Sequence, residues 1–342
     1  MKISKINLGE LYRCYSTMAM ELDGVLHFFY ASEEKGYPCY AFPVNDLDNK
    51  KVVWEKGGGT MSMIPLPNRK NEFLAIMDFY LKETPSVSKL VWFKYSAENG
   101  FEQKDLFYLP YLHRFDLYQA NDALYLICAT IAERKEHKED WTYPGKIYVS
   151  ELPNDLNQPI QLKVIKEGLF RNHGYCRSKT HIGGYFASDN GVYKVTAPTN
   201  KNLDWNIELL MDGKISEIAF SDVNHDGIEE MITIEPFHGN SIKIYQNKDN
   251  VYNEIYTYPY ELDFAHTIVG TSFFNKNCFI GGIRRVNPDL FMISMENNEF
   301  KTTIIDQGCG PANCNVYFDK NTIYIHSANH TQNHAALYVV EE

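Results

Sequence analysis

Apolar residues along this chain recur in short runs, not at helical spacing. No long stretch carries the i, i+3, i+4, i+7 pattern of an amphipathic helix. Runs rich in Val, Ile, Tyr and Phe alternate instead with Gly, Asn, Asp and Pro. Val25–Tyr30, Phe73–Phe79, Leu90–Tyr95, Leu124–Ala129, Lys146–Val149, Ser241–Tyr245 and Thr322–Ser327 all read as strands. Within Thr322–Ser327, Ile323 and Ile325 share one face and Tyr324 and His326 the other, the period of two of a pleated strand.

The runs come in groups of four: a polar or glycine-rich approach, a first strand, a strongly apolar second, a third, and a more polar fourth. One group starts near Gly57 and another near His113; further groups start near His173, Lys214 and His266. Seven such groups in 342 residues give about 49 residues each, a length typical of propeller blades. The last stretch, Cys309–Glu342, offers only three strands, while Lys2–Leu8 is a strand with no group of its own. The expectation is therefore an all-β fold, a single seven-bladed β-propeller over residues 1–342. Its ring would close by the N-terminal strand completing the last blade, which removes two open edges. A β-sandwich and a ring of six or eight blades are the alternatives.

Composition narrows the class. Lys and Arg number 33 against 44 Asp and Glu, a net charge of −11, which argues against nucleic acid or an anionic membrane as partner. The longest apolar stretch, Ala123–Ala132, is too short for a spanning helix, and the first residues lack the apolar core of a secretory signal. Seven cysteines with no Cys-x-x-Cys pair read as free thiols in a reducing cytoplasm.

The sharpest local motif is Ser221–Glu230, with oxygen-bearing side chains at Asp222, Asn224 and Asp226, a glycine at 227 and carboxylates at Glu229 and Glu230. Alternate oxygens around a tight glycine turn suit a hard divalent cation, most simply Ca²⁺. A metal-free Asx turn between two strands is the other reading.

A second pattern is distributed. His113, His173, His238 and His266 hold comparable places in successive groups, three of them close to a first strand and His238 just after the strand that follows the Asp222 loop. First strands line the axis of a propeller, so these imidazoles could converge on one pocket. Neutral imidazoles there could act as acid or base, or two or three of them could hold a second, catalytic metal. Arg284 and Arg285, Tyr175, Asn313, Asn329 and Trp141 on the insertion after Thr130 are further candidates to face the same pocket. Cys309 with Cys314, His330 with His334, and Gly57–Gly59 lack the partners of a zinc site, a helical metal pair or a phosphate loop. No Gly-x-Ser-x-Gly elbow occurs.

The Asp222 loop is followed by strand, not helix, and resembles the calcium loop of FG-GAP/VCBS propeller repeats. That resemblance implies side-chain ligands Asp222, Asn224, Asp226 and Glu230, with the Ile228 carbonyl completing the set. The loop recurs with Phe237-His238-Gly239, Phe264-Ala265-His266, Gly281–Arg285, Gly308–Asn313 and the Ala328-Asn329 to Tyr338 stretch, in an order similar to the propeller domain of aldos-2-ulose dehydratase, over about residues 110–342. It implies a lyase or dehydratase eliminating an oxygen group beside the carbonyl of a keto- or anhydro-sugar, without the isomerase step, since the further cupin-like domains are not in this chain. For such chemistry His173 or His266 is the expected base, His238 the acid or metal ligand, Arg284 or Arg285 the enolate stabiliser and Tyr175 the proton donor. Asn313, Asn329 and Trp141 would contact the sugar. A uronate-oligosaccharide lyase and a non-catalytic carbohydrate- or protein-binding propeller are the alternatives.

Overall fold

The computed structural model describes residues 1–83, 86–200, 204–320 and 322–342. Its strands form seven four-stranded antiparallel sheets, and no helix occurs among the described residues. Each sheet is a blade of consecutive strands. Blade one runs from Cys14–Leu22 to Lys51–Gly57, blade two from Met63–Pro65 to Gly100–Tyr108, and blade three from Leu112–Ala120 to Lys163–Leu169. Blade four runs from Gly174–Arg177 to Asn206–Met211, blade five from Glu217–Ser221 to Val251–Thr257, and blade six from Asp263–Phe273 to Glu299–Asp306. Blade seven takes Pro311–Asp319, Thr322–Asn329 and His334–Glu341, and its fourth strand is Lys2–Glu10 from the other end of the chain. The closing register pairs Lys2 with Glu341 and Glu10 with His334. The fold is thus the seven-bladed, N-terminally closed propeller that the strand pattern predicts.

The burial pattern explains why these residues make blades. Second strands such as Val25–Ser32, Glu72–Met77 and Ala123–Thr130 are buried almost throughout, because both faces are covered by neighbouring blades. Outer strands such as Val251–Thr257 bury little and carry the polar residues. The apolar core divides into seven clusters, one at each junction between blades. All seven first strands pack against the first strand of at least one neighbouring blade around the axis. All seven cysteines are free.

One detail of register matters for the site. The first strands of blades one, three, six and seven each carry an irregularity at their start, between Cys14 and Ser16, Leu112 and Arg114, Ala265 and Thr267, and Pro311 and Asn313. A β-bulge leaves one residue out of the ladder and re-aims its side chain. The residues so placed are Tyr15, His113, His266 and Ala312.

Candidate active site

A cavity of about 590 Å³ opens on the propeller axis and is lined by all four predicted histidines, His113, His173, His238 and His266. Ring centroids lie 4.6 Å apart for His113 and His173, 5.0 Å for His173 and His238, 5.1 Å for His238 and His266, and 5.4 Å for His173 and His266. Two of the four, His113 and His266, stand at the bulges. His173 immediately precedes the first strand of blade four, where Gly174 lets blade five close in. A Cβ at 174 would fall 2.7 Å from the Ser216 carbonyl oxygen. His238 comes from the loop after Glu230–Glu235 in the left-handed region, φ 48°, its ring stacked between Phe237 and Phe264.

Hydrogen bonds fix which nitrogen carries the proton. A carbonyl can only accept, so His173 Nδ1 donates to Ser216 O at 3.0 Å and His266 Nδ1 donates to Ala312 O at 2.6 Å. Each Nε2 is left with its lone pair. That of His173 is buried without a partner, and that of His266 lies 3.4 Å from the Tyr15 hydroxyl. His113 bonds to the backbone of His173 and leaves its Nδ1 unpartnered. Donation of the far ring nitrogen to a backbone carbonyl is the arrangement that orients metal-binding imidazoles. His173, His238 and His266 offer ring nitrogens that all lie within 4.8 Å of one another.

Electrostatics keep these imidazoles neutral. Burial lowers His113, His173 and His266 well below the ordinary range, reinforced by neighbouring imidazoles and by Arg114 or Arg284. His238 is pushed down to about 3, by burial first and then by Arg284. Neutral rings keep a free lone pair that can bind a metal or accept a proton, although the lowered pKa makes each a weaker base than a free imidazole. The Tyr15 hydroxyl, raised to about 12 by burial, keeps its proton and supplies what the imidazoles lack.

Beneath the histidines, Arg114 donates to the His173 carbonyl at 3.1 Å and to Glu217 at 2.9 Å, and Glu217 accepts the Tyr175 N–H at 2.9 Å. This buried pair backs the histidines without itself lining the cavity. On one wall Arg284 donates to His330 Nδ1 at 2.9 Å, and His330 Nε2 donates to Glu33 at 2.9 Å. Arg13 pairs with Glu33 and Glu34. Burial works to raise Glu33, but His330, Arg284 and Arg13 outweigh it and hold the carboxyl at about 2.

Among the other predicted site residues, Arg284, Arg285 and Trp141 line the cavity. Three do not. Tyr175 packs between blades three and four, where its hydroxyl donates to Asp116 and meets Tyr118. Asn313 spends its amide on the Tyr15 carbonyl, at 2.7 Å. Asn329 is buried inside blade seven, donating to the Tyr338 hydroxyl and accepting from Ser327. Sequence reasoning missed Tyr15, although it holds in blade one the place that His113 and His266 hold in theirs. It also passed over His330 as half of a failed metal pair, and Arg114, Glu217, Glu33 and Arg13, which carry no motif.

The Asp222 loop lies in a hairpin of blade five, remote in type from the pocket. Asp222 accepts N–H groups from Asp226 and Gly227, Asp226 accepts from Ile228, and Glu230 accepts from Val223. Gly227 takes φ 88°. The Asn224 amide nitrogen donates to both Asp226 and Glu230. Burial, with Asp226 and Asp222 nearby, raises the Glu230 carboxyl to about 7. The carboxylates are therefore of the right chemistry for a hard cation, while Asn224 would have to turn its oxygen inward to join them.

No protein-family model matches the chain, and no curated protein matches it. Solved structures of similar fold exist at low identity. A soluble aldose sugar dehydrogenase from Escherichia coli in its apo form is 11% identical, with TM-score 0.51 and 99% of each chain covered. A glucose dehydrogenase is 10% identical, TM-score 0.52, again over 99% of each chain. A candidate 6-phosphogluconolactonase from Bacteroides fragilis is 13% identical, TM-score 0.53, over 92% of this chain and 89% of that one. At such identities the likeness establishes the propeller fold.

Proposed function

We propose that this protein is a carbohydrate-active lyase or dehydratase, eliminating water or another oxygen leaving group beside a carbonyl carbon of an oxidised sugar bound in the axial cavity. The supporting observation is the convergence of neutral imidazoles with oriented lone pairs and the protonated Tyr15 hydroxyl in one cavity. The sugar-processing names of the structural neighbours and the resemblance to VCBS-type propellers are consistent with it. Elimination needs a base for the proton alpha to the carbonyl, a stabiliser for the enolate and a donor for the leaving oxygen. His173 or His266 takes the proton through Nε2. Arg284, which faces the cavity beside the histidines, stabilises the enolate oxygen. Tyr15 replaces Tyr175 as proton donor. Trp141 and Phe237 give the sugar an apolar wall.

His173, His238 and His266 also form a donor set that would fit a divalent cation; an ion held there would take the Nε2 lone pairs and supply Lewis-acid stabilisation of the same oxygen, and the proton would then fall to the unpartnered Nδ1 of His113. Ca²⁺ in the Asp222 loop is a separate, structural proposal. The test is incubation with keto-sugars, anhydro-sugars and uronates, with and without added Mn²⁺ or Zn²⁺, read by ultraviolet absorbance of the enone or unsaturated product. Turnover of any of these supports the reading. Sugar binding without product, in every metal condition, would make the cavity a binding site only.

A further inference from the structure

The charges around the cavity do not balance, and the imbalance is localised. Arg13 is committed to Glu33 and Glu34, Lys138 to Glu139, and Arg114 to Glu217. Arg284 makes no ion pair among the described residues, and its hydrogen-bond partner His330 is an imidazole whose pKa burial lowers. Arg285 reaches only Asp263, at 3.9 Å, with both side chains largely exposed. Among the side chains that line this wall, three guanidiniums thus face two carboxylates, Asp263 standing outside the lining, in a chain whose net charge is −11.

The two arginines are also held in place. Their guanidinium carbons lie 4.7 and 4.5 Å from the centroid of Phe264. Phe264 in turn stacks on His238 at 4.3 Å and sits at φ 59°, a costly conformation for a bulky residue. The His330–Glu33 relay orients Arg284 by one N–H and leaves the rest of its fork free. A planar fork beside the catalytic imidazoles matches a planar carboxylate. One unmatched positive charge suits a monoanion, whereas a phosphate near its full charge of about −2 would meet Glu33 and Glu34 as well.

We infer that Arg284 and Arg285 form a carboxylate subsite and that the substrate class is a sugar acid of the uronate type. This rests on the elimination reading above and makes the activating carbonyl carbon that of the carboxylate itself. The step balances without a co-reactant. An imidazole Nε2 takes the proton alpha to the carboxylate. The C–H electron pair becomes the new C=C bond, and the β C–O bond breaks. The leaving oxygen takes its proton from Tyr15.

Calorimetric binding to the whole chain tests the subsite apart from turnover. The probes are D-galacturonate and D-glucuronate against D-galactose, D-glucose and glucose 6-phosphate. The uronates should bind about 10- to 100-fold more tightly than the neutral sugars, with the margin shrinking as salt rises. Arg285→Gln, at an exposed position, should remove most of the margin, and Arg284→Lys should reduce it. Equal binding of acid and neutral sugars, no measurable uronate binding, or an intact margin in both variants overturns the subsite. Tighter binding of glucose 6-phosphate than of either uronate overturns the carboxylate assignment. An enone formed from a neutral keto-sugar alongside any of these negative results would leave the elimination reading standing while the subsite fails. A uronate preference lost in Arg285→Gln, in a protein that eliminates nothing, would do the reverse.

Discussion

The axial cavity and the Asp222 loop are the two places where this chain gathers groups able to hold a cation, and they are built in opposite ways. The loop is local: nine residues supply every oxygen, and its own N–H groups close it. The cavity is assembled from residues that span most of the chain, from Arg13, just before blade one, to Arg285 in blade six, and needs the blades arranged as a ring to bring them together. Their electrostatics also oppose. The loop crowds carboxylates until one of them is pushed up, while the cavity crowds imidazoles until they are pushed down. A local motif of this kind can survive in many contexts. A distributed one depends on the whole fold, so perturbing the fold should separate the two.

The largest effect is expected from removing residues 1–8. The pocket depends on ring closure, and deletion bares the edge of His334–Glu341. The truncated protein should be aggregated or insoluble. A soluble, monodisperse truncation with unchanged melting temperature would show that the cavity does not need its closing strand.

Acid should separate the regions next. The folded cavity keeps its imidazoles neutral while the unfolded chain binds protons near pH 6.5, so stability is complete above that value and falls as pH falls. For His238 the loss runs from about pH 6.5 down to about 3, at roughly 1.4 kcal/mol per pH unit. Glu230 acts with the opposite sign, its stabilisation fading as pH rises from about 4.5 through about 7. Urea midpoints measured between pH 8 and 5 should fall with acid in the wild type and fall less in His238→Gln. A flat profile would contradict the neutral cluster.

The smallest effect belongs to the loop. Asp226→Ala removes the acceptor of the Ile228 N–H and should cost about 1 kcal/mol, or ~1–2 °C in melting temperature for a chain of 342 residues. If the loop holds Ca²⁺, a chelator lowers the wild-type melting temperature and leaves the variant's unchanged. Equal chelator effects on both proteins would place the ion elsewhere.

The blades were legible because their second strands are apolar on both faces and their turns are marked by Gly, Asn and Asp. His113, His173 and His266 were legible because each stands at the start of a unit. What the pattern could not convey is where a side chain points once a bulge interrupts the ladder. Asn313 follows such an irregularity and turns to the Tyr15 backbone instead of the cavity. Tyr175, two residues beyond His173, is drawn to Asp116 across the blade junction. Tyr15 was hidden for the converse reason. One tyrosine among the 24 of this chain carries no chemical signal until the bulge between Cys14 and Ser16 places it against His266.

The central claim is that the cavity imidazoles do chemistry. The most direct measurement is kcat for His173→Ala and His266→Ala on whichever keto-sugar, anhydro-sugar or uronate the wild type converts, followed by absorbance of the unsaturated product in folded, monodisperse protein. The variant lacking the base should lose roughly 10²–10⁴-fold. Near wild-type turnover in both variants would contradict it.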